Sequence, residues 1–422
     1  MKILFKNARI LTMENDKITD GALVTLDQRI LYIGNDYQSY GPFDREIDCL
    51  GNLLMPGFKN AHAHSAMVFL AGKADADNLQ DWLFKIVFPR EEKLIPTDVY
   101  HLNKVAYLEY VRGGVTACFD HYFFPLEQAR AANEFGMRTL LLATHDPLKT
   151  SVEDLEKNYH LLNDVKDGLV RYIVGFHAEY TTDDALLKGT KESIDLLKSS
   201  FYTHISETKK EVEECLQRHN KTPLKFLFEE GLLDYGGGGF HCVHLTDEEV
   251  KICKEHNLSI ISCPGSNLKL NCGAAPLDKY LKAGINIALG TDGPASNDGL
   301  DMFREMHLAV QNNPHISSFE ILKMATVNAS KAMLLDNSDV LKADKYADLI
   351  MLDLASSRLK ASANIIDNIV RLGQIDDVKL TMINGQILYE NGQYHLKETV
   401  ESINHEAELI QMRIEKAIGK SY

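Results

Sequence analysis

No stretch of the 422-residue chain approaches the ~20 consecutive apolar residues that a membrane-spanning helix needs. The first apolar run is short and interrupted, and no small-residue cleavage site follows it, so no signal peptide is expected. Basic residues are also few, with 45 Lys and Arg against 60 Asp and Glu and a net charge of −15. Because nucleic acids and anionic membranes require clustered basic side chains, neither is expected as the main partner.

Features of a disulphide-stabilised or disordered protein are lacking as well. The seven cysteines are odd in number and include no CxxC pair, and Cys118 and Cys242 lie in predicted strands, where a thiol packs as a small hydrophobe. We therefore expect free thiols and a reducing, cytoplasmic compartment. Hydrophobic residues make up 45% of the chain and charged residues 25%, which is an ordinary globular composition.

The two ends of the chain share one pattern, and the middle has another. Short strand-like segments and tight turns fill residues 1–55 and return in residues 341–398, where Asn384-Gly385 between apolar runs predicts a hairpin. Between them, residues 56–340 contain eight β-like segments, most of them separated by helical patterns. We predict an α/β protein, a (β/α)8 TIM barrel with a small β-sandwich domain built from both termini. An open doubly wound sheet is the alternative.

Residues 399–422 are predicted to form a C-terminal helix. Its apolar residues recur at helical spacing, namely Val400, Ile403, Ala407, Ile410, Ile414 and Ala417. Such a stripe predicts packing either on the body of the protein or on a second subunit, so a homo-oligomer remains open.

Polar side chains gather at the ends of the predicted strands. His62 and His64 end the first strand, His204 lies on the fifth, and Asp292 ends the eighth. Strand ends converge at one face of a barrel, and side chains two residues apart point the same way, so these groups should lie together. Taken singly, each of these residues could have a purely structural role, such as a hydrogen-bonded core histidine or an Asp that caps a turn. Together they suit Zn²⁺, or alternatively Fe²⁺.

Five blocks of the sequence resemble blocks of the amidohydrolase superfamily: GFKNAHAHS, HISET, HCVHL, GSNLKL and LGTDGPASN. The resemblance covers the whole chain and is strongest to the methylthioadenosine/S-adenosylhomocysteine deaminase branch, near guanine deaminases and chlorohydrolases. It implies one divalent ion held by His62, His64, His204 and Asp292, which activates a water near neutral pH. The fourth strand, RYIVGFHAEY, ends without a lysine that could be carbamylated to bridge two ions, so a mononuclear site is expected.

The resemblance also implies roles in proton transfer. Asp292 would accept the proton of the attacking water, and His241 would orient that water by a hydrogen bond. Glu207 would protonate the ring nitrogen beside the attacked carbon. His244 ranks below His241 as the orienting histidine, and Ser266-Asn267 are expected only to shape the turn after the seventh strand.

Substrate residues are implied by the same resemblance. Glu91 would grip both ribose hydroxyls of a nucleoside, His177 would contact the substrate, Trp82 would cover it, and Ser296 would line the pocket. The alternative for Glu91 is a solvated carboxylate beside Arg90, and the alternative for Trp82 is ordinary packing.

The predicted function is therefore deamination of an adenosine-type nucleoside, such as adenosine, methylthioadenosine or 5′-deoxyadenosine. S-adenosylhomocysteine is disfavoured because Ala143 stands where relatives active on it place an arginine. Three alternatives remain open: a deaminase of a free base such as guanine or a pterin, another C–N or C–Cl hydrolase, and an inactive scaffold. A cytidine-deaminase fold is excluded because the PCxxC ligand pair is missing.

Overall fold

The computed structural model describes residues 1–72, 82–142, 152–165 and 167–419. Its strands, in chain order, are β1 (Lys2–Leu11), β2 (Ile18–Leu26), β3 (Arg29–Gly34), β4 (Arg45–Asp48), β5 (Leu53–Pro56), β6 (Phe58–Ala63), β7 (Val115–His121), β8 (Arg138–Leu142), β9 (Val170–Ala178), β10 (Phe201–Ile205), β11 (Gly237–His241), β12 (Ser259–Ser262), β13 (Asn286–Leu289), β14 (Leu349–Leu352), β15 (Val378–Ile383), β16 (Gln386–Glu390) and β17 (Gln393–Tyr394).

The helices of the described residues follow in the same order. They are α1 (Phe88–Glu91), α2 (Pro96–Arg112), α3 (Pro125–Phe135), α4 (Val152–Asn163), α5 (Asp184–Leu197), α6 (Lys209–His219), α7 (Pro223–Glu229), α8 (Asp247–Glu255), α9 (Pro264–Lys269), α10 (Leu277–Lys282), α11 (Met302–Asn312), α12 (Ser318–Met324), α13 (Val327–Ala332), α14 (Ile365–Leu372) and α15 (Val400–Ala417). Within the described ranges, no helix is both long enough and apolar enough to cross a bilayer.

Strands β6 to β13 form a parallel sheet of eight strands in chain order. The sheet closes where Ala63 pairs in parallel with Asp292, and the Asp292 N–H donates to the His62 carbonyl over 2.9 Å. The predicted (β/α)8 barrel is therefore confirmed, and the open-sheet alternative is wrong. Closure needs a glycine at position 290, because a Cβ there would lie 2.6 Å from the His62 backbone nitrogen.

The barrel interior is apolar in its middle and polar at its mouth. Phe119, Tyr202 and Phe240 pack together inside the barrel. Because side chains two residues apart on a strand share a face, His121 follows Phe119 and His204 follows Tyr202 towards the carboxyl ends of the strands. Histidines therefore face inward at the end of the barrel where barrel enzymes build their sites.

Strands from both ends of the chain form a second sheet of nine strands. Its order is β17-β16-β15-β14-β5-β1-β2-β3, with β4 also paired to β1, and most of its neighbours are antiparallel. β5 from the amino-terminal part pairs with β14 from the carboxyl-terminal part. The predicted hairpin is present, with Asn384 and Gly385 at φ +52° and +75° between β15 and β16. The domain limits at residues 55, 340 and 398 stay predictions.

A buried ion pair links the barrel to this sheet. The Arg138 guanidinium on β8 donates to both carboxylate oxygens of Asp348, over 2.6 and 3.1 Å. Asp348 also accepts hydrogen bonds from the Ser338 hydroxyl and the Asn384 backbone N–H. A buried carboxylate needs this number of donors to offset its lost hydration.

The C-terminal helix α15 packs on the body of the same chain. Ile410 and Ile414 are buried in a cluster with Trp82, Leu83 and Val87, which lie in the segment preceding α1. The Gln411 amide donates to the Phe69 carbonyl in the segment that follows β6, over 3.4 Å. The helix therefore covers residues next to the barrel mouth.

Candidate metal centre and active site

The predicted metal ligands come together at the mouth of the barrel. His62 is on β6 and His64 directly follows it, while His204 is on β10 and Asp292 follows β13. The Asp292 Oδ1 atom lies 3.5 Å from His62 Nε2 and 3.2 Å from His64 Nε2. The His62 ring centroid lies 4.8 Å from that of His204. These spacings are those of side chains that can share one ion.

Two overlapping groups of side chains have ligand atoms within 4.8 Å of one another. The first contains His62, His204, His241 and Asp292, and the second contains His64, His121 and His204. The structure thus places the four predicted ligands beside two further histidines, of which the sequence interpretation assigned His241 to the nucleophile and gave His121 no role.

Hydrogen bonds orient the rings of two predicted ligands. The Nδ1–H groups of His64 and His204 donate to the carbonyls of His121 and His177, each over 2.6 Å. Because a carbonyl can only accept, the neutral form of each ring carries its proton on Nδ1 and has its lone pair on Nε2, which is the usual arrangement of metal-binding histidines. Burial would lower the pKa of His64, but its contact with Asp292 outweighs burial and raises that pKa, so an ion would have to displace a proton from this ring.

The state of His62 also fits a metal ligand. Both its ring nitrogens are buried without a hydrogen-bond partner in the part of the chain that the structure describes. Leaving such a group unsatisfied costs about 1–3 kcal/mol, a cost that a bound ion would remove. Burial lowers the pKa of His62 to about 3 and the pKa of His204 well below its usual value, so both rings stay neutral and able to coordinate.

The Asp292 carboxylate is held by several donors. Its Oδ2 accepts from the hydroxyls of Ser266 and Ser296 over 2.5 and 2.7 Å, and its Oδ1 accepts from the Gly293 N–H over 2.7 Å. Burial alone would raise the pKa of Asp292, but its contacts with His62 and His64 outweigh burial and hold that pKa well below the usual range. Ser296, predicted to line the substrate pocket, thus contacts a predicted metal ligand.

Glu207 and His241 lie next to each other beside the predicted ligands. The His241 Nδ1–H donates to the Asn267 side-chain oxygen over 2.8 Å, which leaves Nε2 for another partner. The Glu207 carboxylate lies 3.8 Å from His241 Nδ1 and accepts from the Cys272 thiol over 3.5 Å. Burial raises the pKa of Glu207, which favours a protonated carboxyl that can serve as an acid.

Sequence reasoning missed the contacts of the turn after β12. Ser266 and Asn267 were expected only to shape this turn, yet they hydrogen-bond to Asp292 and His241 respectively. The turn after β12 lies between the ends of β11 and β13, the two strands that pair with β12, and this position brings Asn267 to His241 and Ser266 to Asp292.

Two other polar residues at the barrel mouth have partners of their own: Glu179, a carboxylate at the end of the fourth barrel strand that could in principle bridge two ions, and His244. The Glu179 carboxylate, which follows β9, accepts two hydrogen bonds from Arg218 over 3.0 and 2.6 Å and pairs with His219. The His244 Nε2–H donates to the Cys272 carbonyl over 2.8 Å. Neither side chain is arranged as a ligand, which agrees with a single-ion site and with the lower rank of His244.

The predicted ribose carboxylate, Glu91, is at the end of α1. It is 6% exposed, and its Oε1 accepts from the Tyr122 hydroxyl over 2.7 Å. The interpretation of Glu91 as a solvated carboxylate is therefore wrong. Tyr122 directly follows β7, so Glu91 is held against the end of the second barrel strand.

The other predicted substrate residues lie on two sides of the centre. His177 lies beside His204, with ring centroids 4.5 Å apart. Trp82 is buried and packs with the aliphatic side chains of its segment and of α15, which agrees with the packing alternative. Ala143, the position at which S-adenosylhomocysteine-active relatives carry an arginine, lies outside the described residues.

His121 is the residue of the site that sequence reasoning passed over. It ends β7 and is 1% exposed, and its ring centroid lies 5.3 Å from that of His64 and 5.4 Å from that of His204. A signal was available, because TACFDH ends in a histidine at the carboxyl end of the second predicted strand, as FKNAHAH does for the first.

Comparison with known proteins gives three kinds of match. A family model described as the amidohydrolase family matches residues 53–388. A 5-methylthioadenosine/S-adenosylhomocysteine deaminase of Thermoanaerobacter pseudethanolicus is 37% identical over 407 residues, covering 93% of this chain and 94% of the relative. The same name belongs to a Pyrococcus furiosus protein that is 35% identical over 405 residues, covering 93% and 96% of the two chains.

Solved structures of similar proteins share the fold over nearly the full length. An adenosine deaminase from Xanthomonas campestris with bound zinc superposes with a TM-score of 0.91 at 26% identity, covering 98% of both chains. The guanine deaminase of E. coli superposes with a TM-score of 0.81 at 20% identity, covering 93% of this chain and 100% of the other, a likeness that concerns the fold alone.

Proposed function

The chain belongs to the amidohydrolase family, and from this premise we propose that it deaminates an adenosine-type nucleoside at a mononuclear metal centre. The reaction adds water to the amidine carbon of the base and releases ammonia and the inosine analogue. The observation that carries the proposal is the juxtaposition of a His-rich ligand set with the buried acid Glu207 at one barrel mouth. Relatives similar over nearly the whole length bear a deaminase name, which supports the same reaction.

The residues present fit a divalent ion, which we propose is Zn²⁺. His62, His64, His204 and Asp292 would hold it, and one nitrogen of each of the three imidazoles and one carboxylate oxygen match the preferences of zinc. The similar Xanthomonas structure contains zinc, which supports this choice over Fe²⁺. When bound, the ion supplies Lewis-acid activation of the attacking water near neutral pH.

Two carboxyl groups whose pKa values are shifted in opposite directions would carry out the proton transfers. The pKa of Asp292 is held well below the usual range, so its carboxylate is ready to accept the proton of the attacking water. The pKa of Glu207 is raised by burial, so its carboxyl can donate to the ring nitrogen beside the attacked carbon. His241 has a free Nε2 that would orient the water. The proton taken by Asp292 then leaves with ammonia as the C–N bond breaks.

The ribose end of the substrate would be bound by Glu91. Vicinal hydroxyls can each donate to one carboxylate oxygen, and the hydrogen bond from Tyr122 holds the carboxylate in one orientation. His177 would contact the substrate beside His204, and Trp82, packed with Ile410 and Ile414, would cover it. Ser296 would act through Asp292.

We propose that the preferred substrates are adenosine-type nucleosides with a small group at the 5′ position, namely adenosine, methylthioadenosine and 5′-deoxyadenosine. The basis is Ala143, which offers no guanidinium for the amino-acid carboxylate of S-adenosylhomocysteine. The seven cysteines are free and buried, as is typical of proteins in a reducing compartment, and this supports the proposal that the protein is cytoplasmic.

The experiment is ammonia release by the zinc-loaded protein on a panel of substrates. The panel contains adenosine, methylthioadenosine, 5′-deoxyadenosine, S-adenosylhomocysteine, adenine, guanine and a pterin. Turnover of the small adenosines with weak S-adenosylhomocysteine activity is the expected result. Turnover of free bases alone would overturn the nucleoside assignment and leave the metal mechanism standing.

A matched variant sharpens the test of the ribose assignment. Glu91→Gln keeps the size of the side chain but removes the charge that accepts both hydroxyls, so kcat/KM should fall for nucleosides and stay unchanged for adenine. An equal fall for nucleosides and adenine would refute the ribose role. If the protein turned over no substrate of the panel and bound no stoichiometric ion, the hypothesis of an inactive scaffold would be favoured over that of a deaminase.

A further inference from the structure

We propose that His121 is a further protein ligand of the divalent ion, so that four imidazoles and one carboxylate hold it in this chain. The inference rests on the metal centre and would survive a different substrate. It adds a residue from β7, the second barrel strand, to ligands that otherwise come from the first, fifth and eighth strands.

The first observation is the absence of partners for the His121 ring. Both its nitrogens are buried, and neither has a hydrogen-bond partner among the residues that the structure describes. His62, a predicted ligand, is in the same condition, and no other histidine of the described ranges has both nitrogens buried and unpartnered. A buried imidazole normally has at least one partner, so a group that is not part of the chain is expected to satisfy it.

The second observation is where that partner must lie. A nitrogen of His121 is within 4.8 Å of ligand nitrogens of both His64 and His204. The Nδ1 atoms of those two rings are hydrogen-bonded to backbone carbonyls, so their Nε2 atoms would coordinate the ion. Two nitrogens bound to one Zn²⁺ at about 2.1 Å can be at most about 4.2 Å apart. Coordination by His121 therefore requires its ring to move towards the ion that His62 and Asp292 would also hold, because His121 is grouped within 4.8 Å only with His64 and His204.

The third observation is the composition of the surroundings. The rings nearest His121 are those of His64, His204, His177 and Phe240, with centroids 5.3, 5.4, 6.0 and 6.4 Å away. No carboxylate, hydroxyl or amide among the described residues hydrogen-bonds to it. With these neighbours, the partner expected for the His121 ring is a metal ion beside His64 and His204, which would accept the lone pair of a ring nitrogen.

The test uses the Co²⁺-substituted and zinc-loaded full-length protein. X-ray absorption fine structure of the zinc protein should count four imidazole ligands in the parent and three in His121→Phe. The visible ligand-field bands of the cobalt protein should intensify in the variant as coordination falls towards tetrahedral. Zinc affinity, measured by competition with a chelator, should fall by at least about 100-fold, since even loss of an outer partner costs 10–100-fold.

The matched control is His101→Phe, which removes an imidazole on α2 and should leave all three measurements unchanged. If His121→Phe does not fold, His121→Gln supplies the same comparison with a smaller polar side chain.

Three imidazoles in the parent would overturn the proposal. Four imidazoles that persist in the variant would also overturn it, and would assign the fourth to His241. Unchanged metal properties with a raised KM would make His121 a substrate contact instead, again against the proposal. Because the X-ray absorption, ligand-field and zinc-affinity measurements require no turnover, loss of the deaminase assignment would leave their result interpretable.

Discussion

Arg90 and Glu415 form a buried, bidentate ion pair between α1, which ends at Glu91, and the C-terminal helix α15. The Arg90 Nε and Nη2 atoms donate to the two Glu415 carboxylate oxygens over 2.9 and 3.2 Å, and Nη1 donates to the Ile86 carbonyl over 2.9 Å. The two residues are 325 positions apart in sequence. The C-terminal helix thus holds the residue next to the predicted ribose carboxylate.

The first prediction concerns this ion pair. Glu415→Leu should lower the free energy of unfolding by about 3–5 kcal/mol, because it leaves the Arg90 charge buried without its partner. The double variant Arg90→Met/Glu415→Leu should regain most of that loss, yet keep a raised KM for nucleosides because α1 is no longer held. Urea unfolding and steady-state kinetics measure the two effects.

A control for the ion pair is Arg112→Met. Arg112 pairs with Asp376 over 3.0 Å, and the two side chains are 53% and 72% exposed. An exposed pair contributes at most about 1 kcal/mol, so this variant should unfold nearly as the parent does. Equal losses in Glu415→Leu and Arg112→Met would refute a special role for the buried pair.

The second prediction concerns Tyr122, whose hydroxyl donates to Glu91. Tyr122→Phe removes a hydrogen bond to a charged acceptor, which is worth about 1.5–3 kcal/mol. We expect kcat/KM for adenosine to fall roughly 10-fold or more, since 1.4 kcal/mol corresponds to a factor of ten. Adenine, which has no ribose, should be unaffected in the same assay, and a parallel loss for both compounds would contradict the orienting role.

The third prediction separates Glu207 from the metal. Glu207→Gln should keep the zinc content of the parent, because this carboxylate is not among the predicted ligands, and should lower kcat by about 10²–10⁴-fold. Glu214→Gln, on the helix α6 that follows Glu207 in the chain, changes a partly exposed carboxylate in the same way, so it is the matched control and should be fully active. Full activity in Glu207→Gln would remove Glu207 from the mechanism.

The strand-end residues could be anticipated from sequence because their argument is local. His62 and His64 are two apart on one strand, and a barrel brings the end of the eighth strand to the first, so Asp292 had to approach them. The hairpin at Asn384-Gly385 was equally predictable, since the positive φ angles favour those residue types.

Side-chain contacts between segments that are distant in sequence could not be predicted in this way, because no local pattern indicates them. The hydrogen bond from Tyr122 to Glu91 depends on where residues 82–91 lie relative to the end of β7, and no periodic pattern in the sequence predicts that position. Asn267 was read as a turn residue because Asn favours turns, and its bond to His241 depends on the spacing of neighbouring strands. His121 was passed over because one strand histidine, taken alone, is more often a core residue than a ligand.

The fourth prediction concerns Lys59, which is fully buried at the start of β6, at the end of the barrel away from the site. Its ammonium donates to the Gly57 carbonyl over 2.8 Å and to the Thr116 hydroxyl over 2.9 Å. Burial lowers the pKa of Lys59 to about 8, although the charge of Asp348 acts against this shift. The folded state therefore disfavours the protonated amine, while the unfolded chain keeps an ordinary lysine pKa of about 10.4.

The sign of the pH effect follows from proton binding. Between pH 8 and 10.4 the unfolded chain binds the proton of Lys59 more strongly than the folded chain does, so this residue's contribution to stability rises with pH. Lys59→Met removes the titration, so the variant should gain stability relative to the parent at pH 7, by up to about 3 kcal/mol before the cost of losing the donor to the Gly57 carbonyl and the Thr116 hydroxyl. That relative gain should shrink as the pH rises to 10.5, because the parent then holds a neutral amine. Urea unfolding of both proteins at pH 7, 9 and 10.5 measures the difference, in which titration of the other groups cancels. A difference that does not change with pH would mean that Lys59 keeps its ordinary pKa in the folded protein, and that its two hydrogen bonds fully offset the loss of hydration.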